Sequence, residues 1–283
     1  MSLPPPLASR LLLGVVVLLV AAPARAQTDE ELGASLSVDL PVTLGAGVVW
    51  VGGEALRDLL APATCQWCTP GPADATVARA AVWARPSVAS TLSDVGVYGV
   101  LPLVAVGGVL AMAVGREGRL WPRVGWDLLL VAEAVALAQA LNQAVKFLVA
   151  RERPFVHWLG PSEKALTAAP SDNNLSFYSG HTDVSFALVA SAWTVARMRG
   201  YSWANVMLAV GLPLAAGVGY LRMAAGKHYL SDVLVGAVLG SAVGVLVPAV
   251  HRWGRFLAPR GATATVSLIP LPGGGLATLG WVF

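Results

Sequence analysis

Long apolar runs separated by short polar connections fill the chain between residues 95 and 250. An apolar run of about twenty residues is what a helix needs to cross a bilayer. Composition agrees, because only 12% of the residues are charged, against about 25% in typical soluble domains. The pattern therefore predicts an all-α fold, a polytopic transmembrane helical bundle. The runs assigned to membrane-spanning helices are 95–114, 124–150, 182–198, 203–221 and 231–250.

Two further segments follow other patterns. Residues 38–60 have a short apolar core that Glu54, Arg57 and Asp58 close, so we expect a helix that packs on the bundle at its surface. Residues 262–283 contain the alternating stretch TATVSL and the turn signal PLPGGG. This combination predicts a small β-hairpin at the C-terminus.

The N-terminus has the features of an export signal. Arg10 precedes the uncharged apolar stretch 11–22, and ARA at residues 24–26 fits a signal-peptidase site. Cleavage and retention as an anchor both remain open, and in either case the chain that follows starts outside the cytoplasm. The expected organisation is a signal peptide or signal anchor at 1–26, an extracytoplasmic segment with the packing helix at 27–92, the membrane domain at 93–250 and a tail at 251–283.

Basic residues in the connections predict the orientation. Alternate connections are basic, and the positive-inside rule places them in the cytoplasm. The connections 151–180 and 222–230 then face outward together, although they also carry basic residues. The formal net charge of +3 is too small to indicate a nucleic-acid partner. The basic residues on the cytoplasmic side are Arg116, Arg119, Arg123, Arg197, Arg199, Arg252 and Arg255.

The two cysteines of the chain lie three positions apart in CQWC. Outside the cytoplasm, Cys65 and Cys68 would meet an oxidising compartment, which favours a short-loop disulfide. A redox-active pair and a zinc site are the alternatives, and the second lacks a nearby histidine.

The outward connections also concentrate groups that bind anions. Lys146 and Arg153 are seven residues apart, on one helical face if the helix persists to Pro154. The sequence SGH at residues 179–181 begins the next helix, where free backbone N–H groups favour an anion.

The stretch YLRMAAGKHYLSD adds a third cation and a pair of reactive groups. Arg222 precedes His228, and His228 and Asp232 are four residues apart, so on a helix the carboxylate could hold one imidazole tautomer. Three cations, a helix N-terminus, two histidines and an aspartate on one membrane face suit a phosphoryl group.

These motifs resemble those of the type 2 phosphatidic acid phosphatase (PAP2) superfamily, which includes bacterial lipid phosphatases, acid phosphatases and vanadium haloperoxidases. The matching patterns are K-x6-R-P at 146–154, S-G-H at 179–181 and R-x5-H-x3-D at 222–232. The resemblance implies a PAP2/acid phosphatase-like core, with 93–250 as the catalytic domain. Tyr178 stands where the family usually has proline, and Leu221 where it usually has serine.

The resemblance also implies roles for the individual residues. His228 would attack phosphorus and form a phosphohistidine, oriented by Asp232, while His181 would protonate the leaving oxygen and then activate water. Three cations would do the work of a metal, so no metal or cofactor is expected and activity should persist in a chelator. The phosphate-binding residues would be Lys146, Arg153, Ser179, Gly180 and Arg222.

The function implied is that of a metal-independent phosphatase acting on lipid phosphate or pyrophosphate monoesters. Its site would face the periplasm from a bacterial inner membrane, and its substrate would be a phospholipid, isoprenoid or lipid A phosphate. A phosphotransferase that uses the same phosphohistidine and a non-catalytic phospholipid-binding membrane protein are the alternatives. The loop 158–178 covers the site and is expected to select the substrate. Oligomeric state stays open.

Other polar residues have simpler interpretations. We expect surface positions for His157 and His251, and solvated loop or headgroup contacts for Arg151 and Lys227. In the second apolar run, buried contacts either support Lys146 or join helices, and the residues concerned are Glu133, Gln139 and Asn142.

Overall fold

A computed structural model describes residue 32 and residues 34–114, 120–257, 263–271 and 274–282. The predicted signal segment at 1–26 lies outside these residues. The helices are α1 (Leu36–Ala55), α2 (Arg57–Leu60), α3 (Pro72–Ala81), α4 (Pro86–Val95), α5 (Leu101–Ala113), α6 (Leu120–Val149), α7 (Pro154–His157), α8 (Pro161–Lys164), α9 (Gly180–Met198), α10 (Ala204–Ala224) and α11 (Leu230–Leu257). A π-helical turn, Gly96–Val100, joins α4 to α5, and a 3₁₀ turn occupies Pro170–Asp172.

Five stretches of the described chain are helices long and apolar enough to cross a membrane. The fold is therefore the predicted all-α bundle of a multi-pass membrane protein. The five are Leu36–Ala55, Pro86–Ala113, Leu120–Val149, Ala204–Ala224 and Leu230–Arg252.

Helix α1 differs from the expected surface helix. It has the length and composition of a membrane span and packs along α6. The charged residues Glu54 and Arg57 mark the end of this helix, not its middle, so they do not shorten its apolar stretch. Asp39 near its start adjoins His251 of α11, whereas Arg57 lies near the loop that follows α6. Helix α1 thus runs the length of the bundle.

Helix α9 forms the centre of the bundle. It contacts α5, α6, α10 and α11, and most of its residues are buried. A helix enclosed by other helices needs no lipid-compatible surface, which explains why this predicted span is less apolar than its neighbours.

Three glycines of α11 bring its backbone against α9. A Cβ at Gly240 would lie 2.3 Å from the carbonyl oxygen of Asp183, and one at Gly244 would lie 2.6 Å from that of Ala187. Gly236 makes the same approach one turn earlier. Small residues four apart allow this backbone contact between membrane helices. The contact fixes the N-termini of α9 and α11 side by side.

Two smaller predictions are confirmed. Cys65 and Cys68 form a disulfide, which closes a short loop between α2 and α3. Strands β1 (Thr263–Leu271) and β2 (Gly274–Val282) pair antiparallel as the C-terminal hairpin.

Candidate active site

A cavity of about 190 Å³ lies where α6 and α10 end and α9 and α11 begin. It brings together six of the eight predicted site residues. They are Lys146, Arg153, Gly180, His181, Arg222 and His228.

His228 presents one nitrogen to the cavity in a defined tautomer. Its Nδ1 lies 2.7 Å from the carbonyl oxygen of Ser176, and its Nε2 lies 3.2 Å from Nη1 of Arg153. A carbonyl only accepts hydrogen bonds, so Nδ1 carries the proton and Nε2 keeps its lone pair. Burial, together with the positive charges of Arg153 and Arg222, holds the pKa of His228 well below its usual value. The imidazole is therefore the neutral, nucleophilic form at neutral pH.

Asp232 does not hold the imidazole as expected. Its Oδ2 is 3.8 Å from Nδ1 of His228 and instead accepts hydrogen bonds from Ser176 Oγ at 2.6 Å and from the Tyr229 amide at 2.9 Å. The four-residue spacing favoured a direct contact on a helix, but α11 begins only at Leu230, after the histidine. Asp232 therefore acts on the ring through Ser176.

His181 has a partner that the motifs do not include. Its Nε2 lies 2.7 Å from Oδ1 of Asp94, and its ring meets Tyr98 edge to face with centroids 5.6 Å apart. Asp94 ends α4, inside an apolar stretch, and sequence offers no spacing that would link it to His181. The carboxylate fixes the ring at the cavity, where burial and the positive charges of Arg222 and Lys146 lower the pKa of the imidazole.

Three buried donors of residues that line the cavity lack an acceptor among the described residues. They are Nε of Arg57, Nε of Arg222 and Nε2 of Gln143. Arg222 is otherwise held by Ser93, whose Oγ is 3.1 Å from Nη1. Buried donors without partners are rare, and these three would be satisfied by the oxygens of a bound anion. Gln143 was missed, although it lies one helical turn before Lys146.

Glycine is required at the start of α9. A Cβ at Gly180 would lie 3.1 Å from Nζ of Lys146 and 2.9 Å from Oδ1 of Asn142. Asn142 donates to the carbonyl of Tyr178 at 2.8 Å, and Gln139 donates to that of Gly180 at 3.2 Å. These polar residues of α6 therefore join two helices and bring the lysine amine to the first turn of α9.

Arg153 reaches the cavity from a loop. Helix α6 ends at Val149, so the expected continuous helical face from Lys146 to Pro154 does not form. Arg153 is held by Asp172, at 2.7 Å from Nη2, and by the carbonyl of Lys227 at 2.9 Å from Nη1. The carboxylate of Asp172 lines the cavity and was not foreseen.

Ser179 caps a helix. Its Oγ accepts from Oγ1 of Thr182 at 2.9 Å, and its side chain is buried outside the cavity lining. Its amide donates to the carbonyl of Asp232 at 3.1 Å. The hydroxyl therefore caps α9, and its contact with phosphate stays a prediction.

Helix α1 also contributes to the cavity, which the sequence did not suggest. Arg57, just after α1, lies 2.6 Å from Oε1 of Glu54 and 3.8 Å from Oδ1 of Asp172. Glu54 and Arg57 both line the wall of the cavity. Lys227 approaches the carboxylate of Asp172, at 4.0 Å. The cavity is therefore positively charged, with acidic side chains at its rim.

The expected surface position of His251 is wrong. Its Nε2 is 3.1 Å from Oε2 of Glu133, and its Nδ1 is 3.9 Å from Oδ1 of Asp39. Within the described residues, this trio is the group of histidine and carboxylate side chains close enough to share a metal, and it lies at the opposite end of the bundle. His157 is half-buried and contacts Glu152 at 3.2 Å.

Comparisons with known proteins give a consistent family. Residues 127–256, which contain all three motifs, match the model described as PAP2 superfamily. The chain is 42% identical over 82 residues to phospholipid phosphatase 1 of Rattus norvegicus (27% of this chain, 29% of the relative). It is 31% identical over 132 residues to phospholipid phosphatase 2 of Homo sapiens (39% and 46%). The chain thus spans less than half the length of these curated relatives.

One solved structure shows a weaker similarity. It is a transmembrane PAP2 type phosphatidylglycerolphosphate phosphatase from Bacillus subtilis, 19% identical, with a TM-score of 0.44 over 79% of this chain and 98% of that one. The three motifs and the family match agree on the same segment. The part of the chain that carries the three motifs is therefore similar to the PAP2 superfamily.

Proposed function

We propose that this protein is a phosphatase that hydrolyses lipid phosphate or pyrophosphate monoesters through a phosphohistidine intermediate. The observation that carries the proposal is the cavity, where a neutral imidazole, a second imidazole and three cations meet. A nucleophile, a proton donor and charge for the phosphoryl oxygens are the groups that this reaction needs.

In the first step, Nε2 of His228 forms a bond to phosphorus as the bond from phosphorus to the ester oxygen breaks. The leaving oxygen takes a proton from His181. Lys146, Arg153 and Arg222 neutralise the charge on the remaining phosphoryl oxygens, and the carbonyl of Ser176 stabilises the positive imidazole through Nδ1–H.

In the second step, water attacks the phosphohistidine. His181 takes the proton of the water as the new bond to phosphorus forms, and the bond from phosphorus to nitrogen breaks. Its electron pair returns to Nε2, and inorganic phosphate leaves. Asp94 stabilises the imidazolium form of His181 in both steps.

Charge neutralisation by side chains leads to an expectation about metals. The lysine and two arginines face the phosphoryl position from three different segments of the chain. Because these fixed cations supply the positive charge that a divalent ion supplies in other phosphoryl transfers, we expect full activity in EDTA.

A lipid substrate and a periplasmic site are the most specific parts of the proposal. The cavity opens at the end of the membrane-spanning helices, and the relatives are named as phospholipid phosphatases. The disulfide lies at the same end, because Trp67 of its loop contacts Arg151, two residues before Arg153 of the cavity. A disulfide on this face supports an oxidising compartment and hence the periplasmic side of a bacterial inner membrane.

The test is phosphate release by detergent-purified protein in EDTA. Phosphatidic acid, phosphatidylglycerophosphate, an isoprenoid diphosphate, a lipid A phosphate and a soluble ester would be compared. His228→Ala should abolish release, while His157→Ala, the control at a half-buried histidine outside the cavity, should retain it. Label from a ³²P-lipid should appear on the wild-type protein after an alkaline quench, because the P–N bond of a phosphohistidine is lost in acid.

The outcomes separate the alternatives. Phosphate that appears on an acceptor lipid, and not in water, would indicate a transferase. Equal inactivity of wild type and His228→Ala on every substrate would contradict the proposal and favour a binding protein.

A further inference from the structure

Arg151 is among the most deeply buried side chains of the protein. It is 1% exposed, which contradicts its expected role as a solvated loop charge or headgroup contact. Its guanidinium lies 3.8 Å from the ring centroid of Trp67 and 4.2 Å from that of Tyr229. An arginine enclosed between two aromatic rings is held in one plane by cation–π attraction on both faces.

The edge of the guanidinium is bonded to carboxylates and a hydroxyl. Nη2 donates to Oδ2 of Asp74 at 2.7 Å, and Nη1 donates to Oγ of Ser231 at 2.7 Å and to Asp232. Asp74 in turn accepts from the amide and the hydroxyl of Ser231, at 2.9 and 2.6 Å. Burial raises the pKa of Asp74, but the bonds from Ser231 and Arg151 outweigh it and lower the pKa overall. The Asp74 carboxylate is thus held as an anion beside the guanidinium.

This network connects to the nucleophile by two short paths. The first runs through side chains, because Asp232 accepts from Ser176 Oγ, and the Ser176 carbonyl accepts from His228. The second runs through the backbone, because the Ser176 amide donates to the Arg151 carbonyl at 2.9 Å. Arg151 therefore fixes Ser176 through both its hydroxyl and its amide, and with them the carbonyl that sets the imidazole tautomer.

The segment before the family-matched region completes the network. Trp67 belongs to the disulfide loop, and Asp74 belongs to α3, so both precede residue 127. The loop is bonded to the chain on either side of Arg151: the Gln66 amide donates to the Ala150 carbonyl at 2.9 Å, and the Glu152 amide donates to the Trp67 carbonyl at 3.1 Å. The disulfide keeps this loop closed.

We propose that Arg151 is a positioning residue for the nucleophile, and that Trp67 and Asp74 of the N-terminal segment hold it in place. Arg151 does not line the cavity, so it does not touch the phosphate. It compensates the buried charge of Asp232, which fixes Ser176, whose carbonyl aims Nε2 of His228 at phosphorus. The inference rests on the phosphatase activity proposed above.

The first experiment compares kcat with KM. Because the phosphate-binding cations stay in place, Arg151→Met should lower kcat about a hundredfold with KM within about threefold of wild type, as expected when a reacting group is displaced by about 1 Å. Trp67→Ala should lower kcat about tenfold, and Trp67→Phe, which keeps an aromatic face, should restore most of it. The yield of phosphoenzyme in the first turnover should fall in parallel with kcat.

A matched control separates positioning from stability. Arg199 is another buried arginine, 4% exposed, whose Nε donates to Asp127 at 2.7 Å away from the active site. Arg199→Met should lower the melting temperature about as much as Arg151→Met, because each removes a cation that bonds a buried carboxylate. Its kcat per folded molecule, measured on the monodisperse fraction, should equal that of wild type.

Three results decide the inference. Wild-type kcat per folded molecule in Arg151→Met, or the same loss in Arg199→Met, would overturn it. If Arg151→Met does not fold, the pair Trp67→Ala and Trp67→Phe decides, and equal kcat in those two would overturn it. Absence of phosphate release by the wild type would instead contradict the proposed function itself.

Discussion

Two buried arginines at opposite ends of the bundle have different consequences. Arg199, at the end of α9, pairs with Asp127, whose second oxygen accepts from Tyr201 at 3.2 Å. Arg151 pairs with Asp232, whose second oxygen accepts from Ser176, and the carbonyl of that serine holds the nucleophile. The local chemistry of the two pairs is alike.

The difference lies one contact further out. At the far end, the carboxylate joins the ends of helices, whereas at the cavity it bonds Ser176, whose carbonyl accepts from the proposed nucleophile His228. A buried ion pair is weak evidence for either stability or function by itself. What its carboxylate contacts next indicates which property a mutation will change.

The largest expected effect comes from disrupting the contact between α9 and α11, which runs between the two ends of the bundle. Gly240→Val would place Cβ 2.3 Å from the carbonyl oxygen of Asp183, and a backbone atom of a buried helix cannot move aside. We expect a loss of more than about 4 kcal/mol in the free energy of unfolding, enough to leave little folded protein. Size-exclusion chromatography and thermal unfolding would measure it. Gly217→Val, where no atom lies within 4 Å of the added Cβ, is the control; a near-native melting temperature for Gly240→Val would refute the close contact.

The next effect should be confined to the far end. Asp127→Asn removes the carboxylate charge that Nε of Arg199 bonds, which should cost about 3 kcal/mol of stability. Phosphate release per folded molecule should stay at the wild-type value. A kcat reduced to the level of Trp67→Ala would mean that the two ends are coupled, and would remove the contrast between them.

A smaller effect is expected at the second histidine. Asp94→Asn should lower kcat about tenfold, because the amide holds the ring of His181 but no longer stabilises its protonated form. Stability should change little, since the side chain of Asp94 is 48% exposed. Asp58→Asn, at another exposed acid of the same face, provides the comparison in steady-state assays; equal kcat in both variants would show that Asp94 is dispensable.

The smallest effect concerns pH. His228 must be neutral to attack, and it is neutral above its pKa; burial and Arg153 lower that pKa, so activity should extend below the ordinary histidine range. Arg153→Gln removes one of these charges, so the acid limb of kcat/KM should move to higher pH. The position of the limb, measured with one substrate for both proteins, tests this, and an unmoved limb would exclude His228 as the titrating group.

Much of the site followed from the sequence because motif residues sit at helix ends. Lys146, Gly180 and Arg222 reach the cavity as the spacing predicted, since each ends or begins a helix that does form. The predicted direct contact between Asp232 and His228 does not form, because α11 begins at Leu230, two residues after His228.

The remaining partners come from segments that no spacing connects. Asp94, Trp67 and Asp74 are separated by many residues from the motifs they support, and only the folded chain brings them together. Helix α1 was misjudged for a related reason: the charges that appeared to shorten it mark its end, and they line a cavity built by distant helices.

The glycines of α11 have an evolutionary consequence. They leave no side chain between α9 and α11, so the spacing between the helices that begin beside the two histidines is fixed by backbone contact, which has no rotamers to vary. A substitution at one of these glycines would push the two helices apart and could not adjust their spacing gradually. Sequence changes that reshape the cavity without breaking this contact are therefore those in other parts of its wall, such as the loop that carries Asp172 or the end of α1.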